Sequence, residues 1–338
     1  MSAIASNPPL SGPAAAEAYR QPFWLPGGHL QTVYSSLLAP RAKVGYTRER
    51  WDTTPHGVAD GDFVDVDRIA QRAGAPTLEH FHGLEGSSQS PYAAALMAEC
   101  EQRGWNGLVV HFRGCSGELN RLPRAYHSGD AAEIDWVMRK VKSAVGAAPV
   151  YGVGVSLGGN ALLKWLGEQG AAAAPVVAAA VAISAPLDLA AAGNALERGF
   201  SLFYAKHFLA TMKRKSLAKL ERFPGSFDGV AAARARTLRE FDNVVTAPLH
   251  GYRDTDDYWL RASSKPGLAD VRIPTLLINA RNDPFLPEEA LPARNEVSSD
   301  VHFDFPAHGG HVGFSSPRFP GGHAWLPARV LHFLERRT

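Results

Sequence analysis

The chain has 338 residues, of which 45% are hydrophobic, enough for one large buried core. Its formal net charge of +2 gives no strong electrostatic case for binding nucleic acid or an anionic membrane, and nucleic acid is not an expected partner. The two cysteines, Cys100 and Cys115, exclude a disulfide framework and a cysteine-based zinc site.

The N-terminal sequence and the apolar runs bear on the compartment. The first twenty residues lack the basic start and continuous apolar stretch of a signal peptide, and their Ala, Pro and Ser content predicts a flexible tail over 1–20. The longest apolar run, 171–184, is shorter than the roughly 18 residues of a membrane span and is typical of a buried strand with its approach. We therefore expect a cytoplasmic protein without a transmembrane segment.

A strand–helix alternation follows an apolar N-terminal segment. Residues 21–38 are too apolar for a free tail and should dock on the body, and a Pro-His-Gly turn should join two early strands over 47–51 and 62–67. Further strands are predicted over 76–81, 108–112, 149–153 and 176–183, with helices over 92–103, 130–143 and 157–168. Because these strands are apolar without alternation, they predict a mostly parallel sheet covered by helices on both faces.

The alternation stops at 186–268, which is mostly helical, and resumes with strands over 275–280 and 301–305 and a helix over 326–337. This order predicts an α/β core in two parts, 21–185 and 269–338, with a helical cap inserted over 186–268. Five cap residues recur at roughly helical spacing: Phe200, Phe203, Tyr204, Phe208 and Met212. Such a stripe either lines an acyl pocket or forms core between cap and body.

The pattern Gly154-Val155-Ser156-Leu157-Gly158 has the form G-x-S-x-G and falls where an apolar strand meets a helix. A serine on such a turn is exposed at the sheet edge beside a helix N-terminus, which suits a nucleophile that attacks an acyl carbon. The alternative is a glycine-rich helix start that merely packs closely. The chemistry therefore depends on whether a base and an acid follow in the chain.

Asp283 and His311 follow late strands in the order that this nucleophile requires. Asp283, before Pro284, is the predicted acid, although an Asp before Pro also forms turns. His311, with glycines on both sides, is the predicted base, and His308 is its rival.

Other acids and a metal site are less favoured. Asp304 lies within a predicted strand, and Asp300 lies at its start, the wrong edge of the sheet. Four histidines could suggest a metal, but they lack helical i, i+4 spacing and a nearby carboxylate pair, so no cofactor or metal is expected. These histidines are His302, His308, His311 and His323.

An oxyanion hole would complete the site. One donor should be the backbone N–H of Leu157, and the other should come from the loop His82-Gly83-Leu84-Glu85-Gly86, where we assign the N–H of Leu84. The alternative is that His82 and Gly83 simply end a strand.

Several motifs together resemble those of one family. They are Trp24-Leu25 with His29-Leu30-Gln31-Thr32, the loop 82–86 with Ser90-Pro91-Tyr92, His111-Phe112-Arg113-Gly114-Cys115-Ser116-Gly117, Tyr126-His127-Ser128-Gly129, Ser156-Leu157-Gly158-Gly159-Asn160, Asp283-Pro284-Phe285 and His308-Gly309-Gly310-His311-Val312-Gly313-Phe314. Over nearly its whole length the chain resembles the YheT-like hydrolases of the α/β-hydrolase superfamily. The resemblance implies the α/β-hydrolase fold, with Ser156, Asp283 and His311 at the family's triad positions. It also implies a serine hydrolase of carboxylic esters, some animal relatives of which act on acylglycerols and other lipids.

Several alternatives remain at this level. The same triad could cleave a thioester or amide, the scaffold could bind a ligand without catalysis, or the protein could be a membrane-associated lipase with an exposed apolar patch at the cap mouth. Arg113 could have a structural role or bind an anionic substrate group, and nothing marks Cys115 as an activated thiol. The expected partner is a small-molecule ester.

Overall fold

A computed structural model describes residues 18–53 and 60–337. These residues contribute eight strands to one sheet: β1 (Thr47–Asp52), β2 (Phe63–Arg68), β3 (Thr77–Phe81), β4 (Asn106–Val110), β5 (Val150–Val155), β6 (Ala179–Ile183), β7 (Thr275–Ile278) and β8 (Val301–Asp304). The strand order is β1-β2-β4-β3-β5-β6-β7-β8. β2 pairs antiparallel with β1 and β4, and all other pairs are parallel, which confirms the predicted mostly parallel sheet.

Helices follow or precede most strands. They are α1 (Gly28–Leu37), α2 (Pro91–Gln102), α3 (Ala131–Val145), α4 (Leu157–Gln169), α5 (Leu189–Leu196), α6 (Ser201–Arg222), α7 (Gly229–Arg234), α8 (Leu238–Phe241), α9 (Ala247–Leu249), α10 (Thr255–Ala262) and α11 (Trp325–Glu335). A π-helical turn, Asp242–Thr246, joins α8 to α9. None of the described helices has the length and hydropathy to cross a bilayer.

The core lies on both faces of the sheet. On one face α3 and α4 pack against Leu108, Val110 and Ala182, and on the other α2 and α11 pack against Val109 and Val153. Alternate residues of each strand point to opposite faces, so strands covered on both sides must be apolar throughout. This arrangement explains the continuous apolar runs in the sequence.

The predicted elements are confirmed with small shifts at their ends. β5 extends to Val155, two residues beyond the predicted 149–153, because its parallel pairing with β6 continues to Ile183. The predicted Pro-His-Gly turn lies outside the described residues. So does most of the predicted tail over 1–20, but Tyr19 within that range is buried, and its ring packs edge-on against Phe314.

The parallel topology sets the positions of four loops. The carboxyl ends of β3, β5, β7 and β8 lie on one edge of the sheet, and β3 and β5 are immediate neighbours. Helices α5 to α9, which lie between β6 and β7 in the chain, contribute a separate apolar cluster that also includes Phe285 and Leu286. The loops after these strands and this helical segment together build the site described next.

Candidate active site

Ser156 occupies the tight turn between β5 and α4. Its φ of 52° lies in the left-handed region, which costs a serine on the order of 1–3 kcal/mol. The flanking glycines are required by close packing. A Cβ on Gly154 would lie 2.5 Å from the Gly158 carbonyl oxygen, and one on Gly158 would lie 2.4 Å from the Phe81 carbonyl oxygen. Both spacings are too short for any side chain, so the G-x-S-x-G pattern follows from how α4 packs on β3 and β5.

The imidazole of His311 lies between a hydroxyl and a carboxylate. Its Nε2 is 3.0 Å from Ser156 Oγ, and its Nδ1 is 2.9 Å from Asp283 Oδ2. Because an ionised carboxylate only accepts hydrogen bonds, we assign the proton to Nδ1, which leaves Nε2 to accept from the Ser156 hydroxyl. The Asp283 side chain is fully buried, and its Oδ1 accepts from the Phe285 N–H at 2.8 Å. The three predicted side chains therefore meet at one point of the sheet edge.

The rival residues lie elsewhere. His308 is exposed, Asp300 precedes β8 at the opposite edge, and Asp304 accepts from Arg329 Nε at 2.7 Å. Among residues 18–53 and 60–337, no three His, Cys, Asp or Glu side chains are grouped so as to hold a metal ion.

The loop after β3 runs beside Ser156 and is held by two tyrosines. The Gly83 N–H donates to the Tyr92 hydroxyl at 3.0 Å, and the Glu85 N–H donates to the Tyr126 hydroxyl at 2.9 Å. Glu85 has a φ of 56°, so the chain turns sharply there. These contacts fix the peptide units on either side of Leu84.

The buried side chain of His82 supports the same loop through two hydrogen bonds. Its Nε2 accepts from the Phe112 N–H at 3.1 Å, so its Nδ1 carries the proton and donates to the Gly83 carbonyl at 2.8 Å. Burial lowers the pKa of His82 to about 3, which keeps the ring neutral and this tautomer intact. His82 thus does more than end a strand.

Leu84 and Leu157, whose N–H groups are the predicted oxyanion donors, both line the cavity that contains Ser156. Leu157 is the first residue of α4, where N–H groups have no partner within the helix. Within the described part of the chain, neither N–H donates to a protein acceptor. Their role as oxyanion donors stays a prediction.

Helix α1 holds the loop that carries His311, a role that no local pattern predicted. Thr32 Oγ1 accepts from the His311 N–H at 2.8 Å. Gln31 Oε1 accepts from the Gly309 N–H at 2.9 Å and from Asn282 Nδ2 at 3.0 Å. The one signal in the sequence was that Gln31 and Thr32 belong to a motif, His29-Leu30-Gln31-Thr32, that the chain has in common with the family it resembles.

A cavity of about 550 Å³ opens over Ser156 and His311. Its walls come from α1, from the loop after β3 and from the helical segment between β6 and β7. Four residues of the predicted aromatic stripe line it: Phe203, Tyr204, Phe208 and Met212. Tyr204 also belongs to the buried cluster of that segment, so the stripe is both wall and core.

The C-terminal half of α6 contributes two lysine side chains to the cavity wall. Lys215 Nζ lies 2.9 Å from Glu85 Oε2, and Lys219 Nζ donates to the carbonyls of Pro123 and Arg124. Burial lowers the pKa of Lys219 to about 8. The α6 stripe therefore changes from aromatic residues near His311 to lysines beyond the loop after β3.

Residues 77–316 match the family model described as the alpha/beta hydrolase fold. The chain belongs to the α/β-hydrolase family. The putative esterase YheT of Escherichia coli (strain K12) is 39% identical over 311 residues, which are 90% of this chain and 89% of that protein. Human phospholipase ABHD3 is 30% identical over 328 residues, 96% of this chain and 80% of that protein. Among solved structures, the Pyrococcus furiosus esterase Pf2001 superposes with a TM-score of 0.54 over 88% of this chain and 99% of that one, at 16% identity. The predicted fold and the YheT-like resemblance are confirmed.

Arg113 has a structural place in this α/β hydrolase. Its guanidinium is fully buried and pairs with Asp62 at 2.7 Å and with Glu133. Those carboxylates hold the pKa of Arg113 above its ordinary value, although burial alone would lower it. With its donors directed to these acids, Arg113 ties the start of β2 to α3, which agrees with the structural alternative of the two considered for it.

Cys115 is not activated. Burial raises the pKa of its thiol to about 11, even with Lys215 Nζ 3.6 Å from the sulfur. The thiol therefore stays protonated at neutral pH.

Proposed function

We propose that this protein hydrolyses carboxylic esters through an acyl-enzyme formed on Ser156. The observation that carries the proposal is the His311 imidazole, 3.0 Å from Ser156 Oγ and 2.9 Å from Asp283 Oδ2, at the floor of a largely apolar cavity. A hydroxyl, a base and an orienting acid in this order form the minimal machinery for acyl transfer. The named functions of relatives, an esterase and a phospholipase, support the same chemistry.

In the proposed mechanism His311 Nε2 takes the Ser156 proton as Oγ attacks the ester carbonyl. Asp283 keeps the ring oriented and stabilises the imidazolium that forms. The N–H groups of Leu84 and Leu157 stabilise the oxyanion. His311 then protonates the leaving alcohol and activates a water molecule, which releases the acid and restores Ser156.

The proposed substrate is lipid-like. The cavity volume of about 550 Å³ and its aromatic wall suit an acyl chain better than a small polar group. In this proposal residues 186–268 form a cap over a hydrolase core made of 21–185 and 269–338. The proposed compartment is the cytoplasm, because Cys100 and Cys115 are both free thiols.

The Ser156→Ala variant tests the catalytic proposal. We expect turnover of a p-nitrophenyl ester to fall by at least about a thousandfold while the fold is kept, since the nucleophile alone is removed. Ser298 lies before the amino end of β8, and the Ser298→Ala variant is the matched control, which should keep wild-type turnover. Folded Ser156→Ala protein with wild-type activity would contradict the proposal.

Two further measurements separate the alternatives. A fluorophosphonate probe should label wild-type protein and not Ser156→Ala, whereas a non-catalytic binding protein would take no label. A panel of esters, thioesters and amides of matched acyl length should show the highest kcat/KM for esters. A preference for thioesters or amides would leave the triad assignment intact but show that an ester is not the bond that the protein cleaves best.

A further inference from the structure

The mouth of the cavity is surrounded by exposed apolar side chains. Leu37 is 64% exposed and Phe203 is 60% exposed, yet both also line the cavity, so both lie where it opens to solvent. Leu30 and Phe200 extend this surface and are likewise more than half exposed. We call these four residues the mouth rim: Leu30, Leu37, Phe200 and Phe203.

The mouth rim is one continuous surface formed by two helices. Leu30 and Leu37 are seven residues apart on α1 and share one face, and Phe200 and Phe203 share a face at the start of α6. The helices touch there, since the His29 ring lies 4.9 Å from that of Phe200 and its Nδ1 lies 3.3 Å from the Tyr204 hydroxyl. Contiguous exposed apolar side chains of this kind mark interaction sites rather than ordinary surface.

The two chain segments that carry the mouth rim contain cations but no acids. No Asp or Glu occurs between Glu17 and Glu49, or between Glu197 and Glu221, and the two rim segments lie within these intervals. The same intervals contain exposed cations, among them Arg41, Lys43, Arg198 and Lys206. The segments that form the rim are therefore locally cationic, although the net charge of the whole chain is only +2.

Two of these cations lie next to the rim. Arg41 donates to the Ser36 carbonyl at 3.1 Å, which places its guanidinium beside the end of α1 that carries Leu37. Lys206 follows Phe203 by three residues on α6, and therefore lies one turn along the same face. An apolar face with cations at its edge is the pattern of surfaces that bind the interface of anionic lipid bilayers.

We propose that the mouth rim docks on an anionic lipid bilayer, with the cavity opening toward the acyl region. The apolar side chains enter the interface, and the surrounding cations contact acidic headgroups. Docking in this orientation would let an amphiphilic molecule pass from the bilayer into the cavity without crossing water. The proposal concerns binding, and it stands whether or not Ser156 acts as a nucleophile.

The test is co-sedimentation of the full chain with vesicles at low ionic strength. We expect binding to phosphatidylglycerol-containing vesicles, binding that weakens as salt is raised, and little binding to pure phosphatidylcholine. The double variant L37S/F203S should lower the partition coefficient by about tenfold or more, since two apolar side chains no longer enter the interface. R41S/K206S should weaken binding to the anionic vesicles and reduce its dependence on salt.

A matched control removes equally exposed apolar side chains elsewhere. Leu260 is 73% exposed and Val230 is 62% exposed, and neither lines the cavity, so L260S/V230S should bind within about twofold of wild type. Ser156→Ala should bind as wild type does, which separates failure of docking from failure of the catalytic proposal. Absence of binding to anionic vesicles, equal losses in both double variants, or a wild-type dimer that hides the rim and does not bind would each overturn the proposal.

Discussion

The hydroxyl of Thr32 joins α1 to the base of the proposed catalytic site. It donates to the Gly28 carbonyl at 2.8 Å and accepts from the His311 N–H at 2.8 Å. The second contact sets the position of the His311 backbone, and therefore of Nε2 relative to Ser156 Oγ. Thr32 touches no reacting atom, so its proposed role is positioning.

Replacing Thr32 with Val tests this role. The variant keeps the shape of the side chain but leaves the His311 N–H without its acceptor, so we expect kcat to fall about tenfold with little change in KM. The free energy of unfolding should fall by about 1 kcal/mol. Ester kinetics and urea denaturation measure the two effects.

Thr275→Val is the control for Thr32→Val. The Thr275 hydroxyl donates to the Ile273 carbonyl at 2.8 Å, in β7 and away from the cavity. We expect a similar loss of stability with unchanged kcat. Equal kcat values in the two variants would assign Thr32 to stability alone.

At the scale of elements, α6 is tied to the loop after β3 by the Lys215–Glu85 ion pair. The side chains are only 27% and 10% exposed, so solvent screens the pair less than one at the surface. Tyr126 donates to Glu85 Oε1 at 2.8 Å and completes the contact. Because Glu85 follows Leu84, a shift of α6 would move the backbone N–H of Leu84, the proposed oxyanion donor.

A double-mutant cycle with Lys215→Met and Glu85→Gln measures this tie. We expect the two changes to be non-additive by about 1–2 kcal/mol in the free energy of unfolding, with kcat lowered in each single variant. The pair Lys164–Glu168 on α4 is 2.9 Å apart, and its carboxylate is 50% exposed, so it should couple by less than about 0.5 kcal/mol. Additive effects at Lys215 and Glu85 would mean that the ion pair does not connect the two elements.

The elements could be predicted from the sequence more fully than their contacts. The apolar runs were sufficient to predict the parallel sheet. Because parallel strands end at one edge of a sheet, the glycines around Ser156 and the order of Asp283 and His311 were sufficient to predict that three side chains meet there. The roles of Gln31 and Thr32 were not predictable, since they depend on how α1 docks about 280 residues away from its partner loop. The mouth rim likewise depends on exposure, which periodicity alone does not reveal.

At the scale of the whole molecule, buried neutral histidines control the response to acid. Burial lowers the pKa of His80, His82 and His250 to about 3 each, against about 6.5 in an unfolded chain. Above pH 6.5 both states are neutral and stability is complete. Below that value the unfolded chain binds protons that the folded chain cannot, so stability falls as the pH decreases toward 3.

Three carboxyls oppose this trend, because burial raises the pKa of Glu79, Glu133 and Asp242. Burial raises the pKa of Asp242 to about 6, so its unfavourable contribution is relieved as the pH falls from about 6 toward 4. Burial also lowers the pKa of His127 and of His323, and these histidines together with His80, His82 and His250 leave a net loss. We therefore expect the free energy of unfolding from urea titrations to be lower at pH 4.5 than at pH 7. His250→Phe should reduce that difference, and a flat profile would contradict the assignment of neutral buried rings.

The hydrogen bond from His311 to Thr32 has a consequence for synthesis. It joins residues 279 positions apart, and a ribosome that adds about 5–20 residues per second needs roughly 15–55 s to travel that distance. Ser156 is synthesised 124 residues into that interval (156 − 32), so the proposed nucleophile exists before the imidazole proposed to activate it. Under the proposed mechanism, the nascent chain would have no activity toward esters until residue 311 has emerged and its loop has docked on α1.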